Sequence, residues 1–157
     1  MHRLLALCLL AFPVLAADKY TGPIPPKADL PYLLHADKLV PTDTAQAREE
    51  NRKDNVFAIV PGPAASAKTP LAEPIFIIKT EKISAERLAA FKMDVKNGNR
   101  EVLIGGKKNK KAGAPIYLNV TRLADNLYKV EVDQILENGQ YTLSPEGSNE
   151  VFSFEVY

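Results

Sequence analysis

The chain contains very few of the residues on which most site chemistry depends. It has one cysteine, Cys8, two histidines and no tryptophan among 157 residues. One cysteine excludes an internal disulfide, and so few cysteines and histidines cannot supply the ligands of structural zinc. No run of acidic residues has the spacing of a calcium-binding loop. We therefore expect no metal and no cofactor.

Long apolar runs are also scarce, and the clearest one lies at the start of the sequence. Residues 4–15 ("LLALCLLAFPVL") follow the basic Arg3 and precede Ala16 and Ala17. The run is too short for a membrane-spanning helix, and a basic start, an apolar stretch and small residues are typical of a secretory signal peptide. We interpret residues 1–17 as a signal peptide cleaved after Ala16 or Ala17. A buried N-terminal helix is the alternative. The prediction is a secreted or periplasmic protein.

An excess of charge of either sign is missing as well. The chain has 20 basic and 19 acidic side chains, and Arg3 lies within the predicted signal peptide, so the two signs would balance in the mature protein. A balanced chain has no overall field to attract nucleic acid or a membrane surface. We expect no specific nucleic-acid partner and no membrane span. The oligomeric state is left open.

Proline and strand patterns divide the remaining chain. Residues 18–31 ("DKYTGPIPPKADLP") contain four prolines, which disfavour a helix and predict an extended N-terminal arm. Residues 32–157 are predicted to form one domain. Residues 41–55 are polar throughout, and their sequence allows either an exposed helical turn or a long charged hairpin.

Short alternating segments from Val56 onward predict strands. In "FKMDVK", Phe91, Met93 and Val95 share one face, and Asn97-Gly98 then favours a type I′ hairpin turn. Similar segments recur with turn residues between them: "VFAIV", "PIFIIK", "REVLI", "IYLNVT", "YKVEVD", "QYTL" and "VFSFEV". We predict an all-β protein, an antiparallel β-sandwich of about seven or eight short strands. It has at most one short helical turn, at "SAERLAA" with Ser84 as N-cap.

One local motif points to a type of sandwich. "LENGQYTL", with Leu136, Gly139, Tyr141 and Leu143, resembles the L-x-x-G-x-Y corner of immunoglobulin-like and fibronectin type III-like domains. The resemblance implies that the Tyr141 hydroxyl bonds to backbone just upstream and fixes the entry to the penultimate strand. Leu143 stands where antibody domains have a cysteine. The resemblance implies a fold and no particular activity.

Catalytic chemistry has little support in the sequence. His35 is the one histidine outside the predicted signal peptide, and it precedes Asp37 by two residues, but no nucleophile motif accompanies them. We expect a structural histidine and a protein that is not an enzyme. A pair of carboxylates that meet in space would leave no local trace. A small envelope hydrolase, or a ligand-binding domain with a pocket in the sandwich, is therefore the alternative.

Four lysines form the most conspicuous candidate site. "GGKKNKKAGA" places Lys107, Lys108, Lys110 and Lys111 between two predicted strands. Such a segment must be exposed, because four ammonium groups cannot be buried unpaired. It is either a contact for an anionic polymer or acidic envelope protein, or a solvated connection that protects the sheet rim. We expect an exported, soluble, non-catalytic binding or structural module of the cell envelope that acts by surface or strand-edge recognition.

Overall fold

The computed structural model describes residues 19–106 and 113–157. Within these residues the chain forms thirteen strands and one 3₁₀ turn, so the predicted all-β antiparallel sandwich is confirmed. The number of strands exceeds the expected seven or eight. Two of the additional strands, Asp43–Gln46 and Arg48–Arg52, lie within the polar residues 41–55. The predicted signal peptide and the four lysines lie outside the described residues.

The strands are β1 (Tyr32–His35), β2 (Lys38–Pro41), β3 (Asp43–Gln46), β4 (Arg48–Arg52), β5 (Asn55–Pro61), β6 (Lys68–Thr69), β7 (Ile75–Lys79), β8 (Leu88–Lys96), β9 (Asn99–Gly106), β10 (Leu118–Ala124), β11 (Leu127–Val132), β12 (Gly139–Pro145) and β13 (Glu150–Val156). They form a five-stranded and an eight-stranded sheet. The first has the order β10-β11-β7-β1-β2, and the second has the order β3-β13-β12-β8-β9-β5-β4 with β6 added beside β13. The pairing of β6 with β13 is parallel, and the other described strand pairs are antiparallel.

The eight-stranded sheet closes on itself through one bent segment. β3 and β4 stand at opposite ends of the strand order, yet only Ala47 separates them in the chain. β3 pairs with β13, β4 pairs with β5, and β3 also approaches β5. The Ala47 N–H donates to the Asn149 carbonyl at 2.8 Å and so continues the β3–β13 pairing to the bend. This sheet therefore encloses an interior of its own, which we call the closed-sheet interior.

The main core lies between the two sheets. Phe76 on β7 meets Phe154 on β13 edge to face, with ring centroids 5.0 Å apart, and Tyr141 stacks on Phe154 at 5.5 Å. Val156 and Phe152 are buried on the same face of β13, as the alternation predicted. The opposite face of β13 is buried as well, because it points into the closed-sheet interior.

A second, smaller core fills part of the closed-sheet interior. Its buried members are Val60, Met93, Val102 and Val151. Met93 was predicted to face inward and does so. Val95, predicted on the same face, is 52% exposed, because it lies beside the hairpin tip where β8 extends beyond this core.

The turns account for the local sequence signals. Asn97 and Gly98 have φ angles of 51° and 74°, and Lys96 pairs with Asn99, so the predicted hairpin is confirmed. Residues 41–55 contain a hairpin between β4 and β5, with Lys53 at a φ of 57°, and no helical turn. The 3₁₀ turn at Ala85–Arg87 follows Ser84, whose side chain makes no capping hydrogen bond.

Candidate functional site

The closed-sheet interior contains an apolar pit. Every second side chain of a strand points into this interior. Ala58 and Val60 of β5 face the pit in this way. The cavity has a volume of about 460 Å³. The apolar lining residues are Ala47, Ala58, Val60, Ala89, Phe91, Met93, Val102, Ile104 and Val151, and the polar ones include Glu49, Thr142 and Ser144.

One end of the closed-sheet interior is covered by the segment after β5. Arg100 lies two residues before Val102 on β9 and is 4% exposed. Its Nε and Nη2 donate to the carbonyl oxygens of Gly62 and Pro61 at 3.1 and 2.9 Å. The Gln140 side chain, two residues before Thr142, accepts a 2.8 Å hydrogen bond from the Ala65 N–H. These contacts hold residues 61–65 across this end.

The covered end contains a buried cation, Arg100. Burial lowers the pKa of the Arg100 guanidinium, and the charge of Asp43 opposes that effect. Asp43 accepts hydrogen bonds from the backbone N–H and the hydroxyl of Ser66. The covered end is thus polar, and residues 61–65 lie across it.

The other end of the pit is its mouth. It lies where Glu49, Ile104 and the turn from Pro145 to Asn149 come together. Gly147 in this turn has a φ of 73°, which favours glycine. Glu146 pairs with Arg87 at 2.8 Å on the protein surface. No acidic or basic residue other than Glu49 and Glu146 is among the described residues that line the pit.

A second candidate surface is the outer edge of β10. This seven-residue strand pairs with β11 on one side, and no other described strand pairs with its other side. Asn119 and Thr121 on it are exposed, whereas Leu118 and Val120 pack against the main core. Near its start, the side chains of Tyr117 and Ile135 are both 77% exposed. This edge combines free backbone groups with exposed apolar side chains.

The residues predicted from the sequence do not come together in one site. Lys107, Lys108, Lys110 and Lys111 lie outside the described residues, and their role as a binding segment stays a prediction. The Tyr141 hydroxyl donates a 2.7 Å hydrogen bond to the carbonyl oxygen of Glu137. His35 ends β1, whereas Asp37 is exposed in the turn that follows.

Sequence patterns missed both the pit and the β10 edge as sites. The pit depends on small residues at inward positions of strands that pair only in the folded state. A signal existed in the alanines of "DTAQAR" and "VFAIV", which are unusually small for strand positions that face a core. Alone, that signal does not specify which strands enclose them.

Metal and membrane features give no further candidates. Across residues 19–106 and 113–157 there is no group of three or more His, Cys, Asp or Glu side chains that could hold a metal ion. In the same part of the chain no helix has the length and apolar character needed to cross a membrane.

No protein-family model, curated protein or solved structure matches this chain.

Proposed function

We propose that the protein is an exported, non-catalytic binding module of the cell envelope. In this proposal it recognises an extended segment of a partner protein along the free edge of β10. The observation that carries the proposal is the distribution of strand edges. Each of β5, β8, β9, β12 and β13 has a partner strand on both sides, although β8 and β9 pair with each other over only three residues each, and the remaining strands of the closed sheet have two to five residues. The longest described strand that has one side unpaired along its whole length is therefore β10.

The opposite edge of the five-stranded sheet is less suited to strand addition. β2 has four residues, begins with the exposed Lys38 and ends with Pro41. Lysine, proline and short length are the usual ways in which proteins protect an edge from pairing. β10 has seven residues, with Arg122 as its one charged side chain and an irregular register only between Arg122 and Ala124. The contrast favours β10 as the edge that accepts a partner strand.

The side chains around β10 support recognition of an extended peptide. In strand addition, backbone hydrogen bonds supply affinity, and contacts to alternate side chains supply specificity. Tyr117 and Ile135 expose most of their surface near the start of β10. Exposed aromatic and aliphatic side chains beside an open edge are suitable anchors for apolar side chains of the added strand.

We also propose that the sandwich is immunoglobulin-like. The Tyr141 hydroxyl reaches the backbone four residues upstream, and Tyr141 lies on β12, the penultimate strand. Both features are those of the tyrosine corner in such domains. These domains serve adhesion, chaperone and transport roles alike, so the proposed fold type is compatible with a binding module and does not select a ligand.

The hydrolase alternative has weaker support. The Nε2 atom of His35 is buried and has no hydrogen-bond partner among the described residues. Asp37 is exposed in the β1–β2 turn, and no serine or threonine hydroxyl of the described residues bonds to the Nε2 atom. A general base needs a nucleophile within hydrogen-bond reach. A binding role therefore accounts better for the described residues.

Photo-crosslinking in the source cells tests the proposal. The exposed Thr121 on β10 is replaced by a photo-crosslinking phenylalanine derivative, and the matched control has the same replacement at the exposed Lys38 on β2. We expect one defined envelope protein to be crosslinked at position 121 and not at position 38. Equal labelling at both positions contradicts the proposal.

Hydrogen–deuterium exchange then tests the mode of binding. A synthetic peptide from the crosslinked segment is added to the mature protein, and exchange is measured at the backbone amides of residues 118–124. Strand addition protects alternate amides in this stretch, because antiparallel pairing engages every second residue. Unchanged exchange at all of them, with bound peptide, overturns recognition along this edge.

A further inference from the structure

We propose that the pit of the closed-sheet interior binds one small apolar molecule whose polar end is uncharged or cationic. The cavity of about 460 Å³ lies within the range of small-molecule sites, roughly 300–1,000 Å³. This site is separate from the β10 edge, which belongs to the other sheet. The two proposals therefore stand or fail independently.

The space in the pit exists because small residues occupy inward positions. Side chains fill the interior of a small closed sheet in most proteins. Here Ala58 on β5, Ala89 on β8 and Ala47 in the bend between β3 and β4 line the pit. Larger aliphatic side chains at these positions would fill it. Because an apolar cavity is a poor site for water, an apolar ligand gains both dispersion contacts and release from solvent.

The pit has a floor of buried apolar side chains. Val60, Met93, Val102 and Val151 are buried and pack together beneath it. Below this layer, Arg100 binds the carbonyl oxygens of Pro61 and Gly62. A ligand that enters from the mouth thus meets apolar side chains at its leading end. Its polar group is left at the mouth.

The charge of Glu49 at the mouth determines which polar end of a ligand is favoured. Glu49 faces the pit across from Ala58, its partner in the β4–β5 pairing. Among the described residues Glu49 makes no ion pair, whereas Glu146 is neutralised by Arg87. A carboxylate at the end of a ligand would be repelled by Glu49, and a hydroxyl or ammonium group would be attracted. The described mouth therefore favours uncharged and cationic ends.

Fluorescence titration with N-phenyl-1-naphthylamine, an uncharged apolar probe, tests the site. We expect saturable binding of one probe per chain to the mature protein. Ala58→Leu should weaken binding at least about tenfold, because the added methyl groups take the ligand's space. Ala124→Leu is the matched control, since it makes the same change at an exposed position on β10. It should bind the probe as the unmodified protein does.

Two outcomes overturn the pit as a binding site. One is the absence of saturable probe binding to the folded protein. The other is equal binding by the unmodified protein and the Ala58→Leu variant. Thermal unfolding is measured for each variant, and Ala89→Leu replaces Ala58→Leu if the latter does not fold. A folded pit-filling variant that still binds the probe normally contradicts the proposal in either case.

Competition with three ten-carbon molecules tests the polar end. Decanol and decylammonium should displace the probe at lower concentration than decanoate. Glu49→Gln should bring the displacing concentrations of decylammonium and decanoate closer together, because it removes the carboxylate at the mouth. Displacement that is strongest with decanoate overturns the assigned charge preference. The charge preference is also overturned if the displacing concentrations of decylammonium and decanoate differ as much in Glu49→Gln as in the unmodified protein.

Discussion

The side-chain hydroxyl of Tyr141 donates a 2.7 Å hydrogen bond to the carbonyl oxygen of Glu137. Burial raises the pKa of this hydroxyl, so it remains protonated and keeps its role as a donor. The Glu137 carboxylate in turn accepts a 2.6 Å hydrogen bond from Lys92 on β8. The short segment before β12 is thus fixed both to β12 and to its neighbour β8.

Tyr141→Phe should lower the free energy of unfolding by about 1 kcal/mol, the usual contribution of one hydrogen bond. The ring is 1% exposed and would stay packed on Phe154, so the loss should come from the unpaired Glu137 carbonyl. Urea denaturation measures the change. Tyr117→Phe is the control, because Tyr117 is largely exposed, and it should have no effect. Equal stability of both variants would show that the corner hydrogen bond contributes nothing.

Glu101 on β9 should make stability depend on acidity. Its carboxylate is 3% exposed and lies 2.6 Å from Arg52 Nη1 and 3.2 Å from Lys96 Nζ. Burial alone would raise the pKa of Glu101, but the hydrogen bond from Arg52 and the nearby positive charge of Lys96 together outweigh it, so the pKa is lowered. A lowered folded-state pKa gives stability that is present above the unfolded value, about 4.3, and is lost as pH falls through the folded value.

Glu101→Gln should therefore be less stable than the unmodified protein by about 1–2 kcal/mol at pH 7, with a smaller difference at pH 3. Urea denaturation at both values measures this. Glu86→Gln is the control, because Glu86 is exposed and has no described ion pair. A Glu101→Gln difference that is the same at both pH values would contradict the electrostatic origin of the effect.

Asp29 should anchor the proline-rich arm to the sandwich. Its carboxylate accepts hydrogen bonds from the backbone N–H groups of Glu81, Lys82 and Ile83, at 2.8 to 3.2 Å. Its own N–H donates to the Lys79 carbonyl at 2.7 Å. Asp29→Ala should lower stability by about 1–2 kcal/mol, since it leaves these donors unpaired and its φ of 59° disfavours alanine.

Limited proteolysis reports on this anchor directly. Asp29→Ala should speed cleavage within residues 19–31, because the arm is released from the loop after β7. Asp29→Asn is the matched control, since asparagine tolerates a positive φ and its side-chain oxygen still accepts hydrogen bonds. Cleavage of Asp29→Ala at the rate of the unmodified protein would show that other contacts hold the arm.

The predicted lysine segment requires its own test. Replacement of Lys107, Lys108, Lys110 and Lys111 by alanine should abolish binding to anionic envelope polymer at low salt, if the segment is a contact. The unmodified protein should lose the same binding as salt rises, because ionic contacts between exposed groups are screened. Pull-down with isolated envelope polymer measures both. If the polymer retains the unmodified and the substituted protein equally, the segment is a solvated connection.

The local strand signals came from the sequence itself. Alternation placed Phe152, Phe154 and Val156 on the inward face of one strand, and Asn97-Gly98 specified the hairpin between β8 and β9. These features depend on side-chain periodicity and on the backbone preferences of two adjacent residues. Both signals lie within a few consecutive residues of the sequence. The Tyr141 motif is local in the same way, because donor and acceptor are four residues apart.

The closed sheet and its pit were decided by tertiary structure alone. β3 pairs with β13 across more than a hundred residues, and the bend at Ala47 then brings β4 to β5. Periodicity tells which residues share a face but not which strand lies beside another, so the sequence pattern predicts neither the closure nor which strands enclose the space beside Ala58. The same limit hid the double burial of β13. Val151 and Ser153 lie on the face of β13 opposite the main core. They are buried only because strands distant in sequence enclose that face.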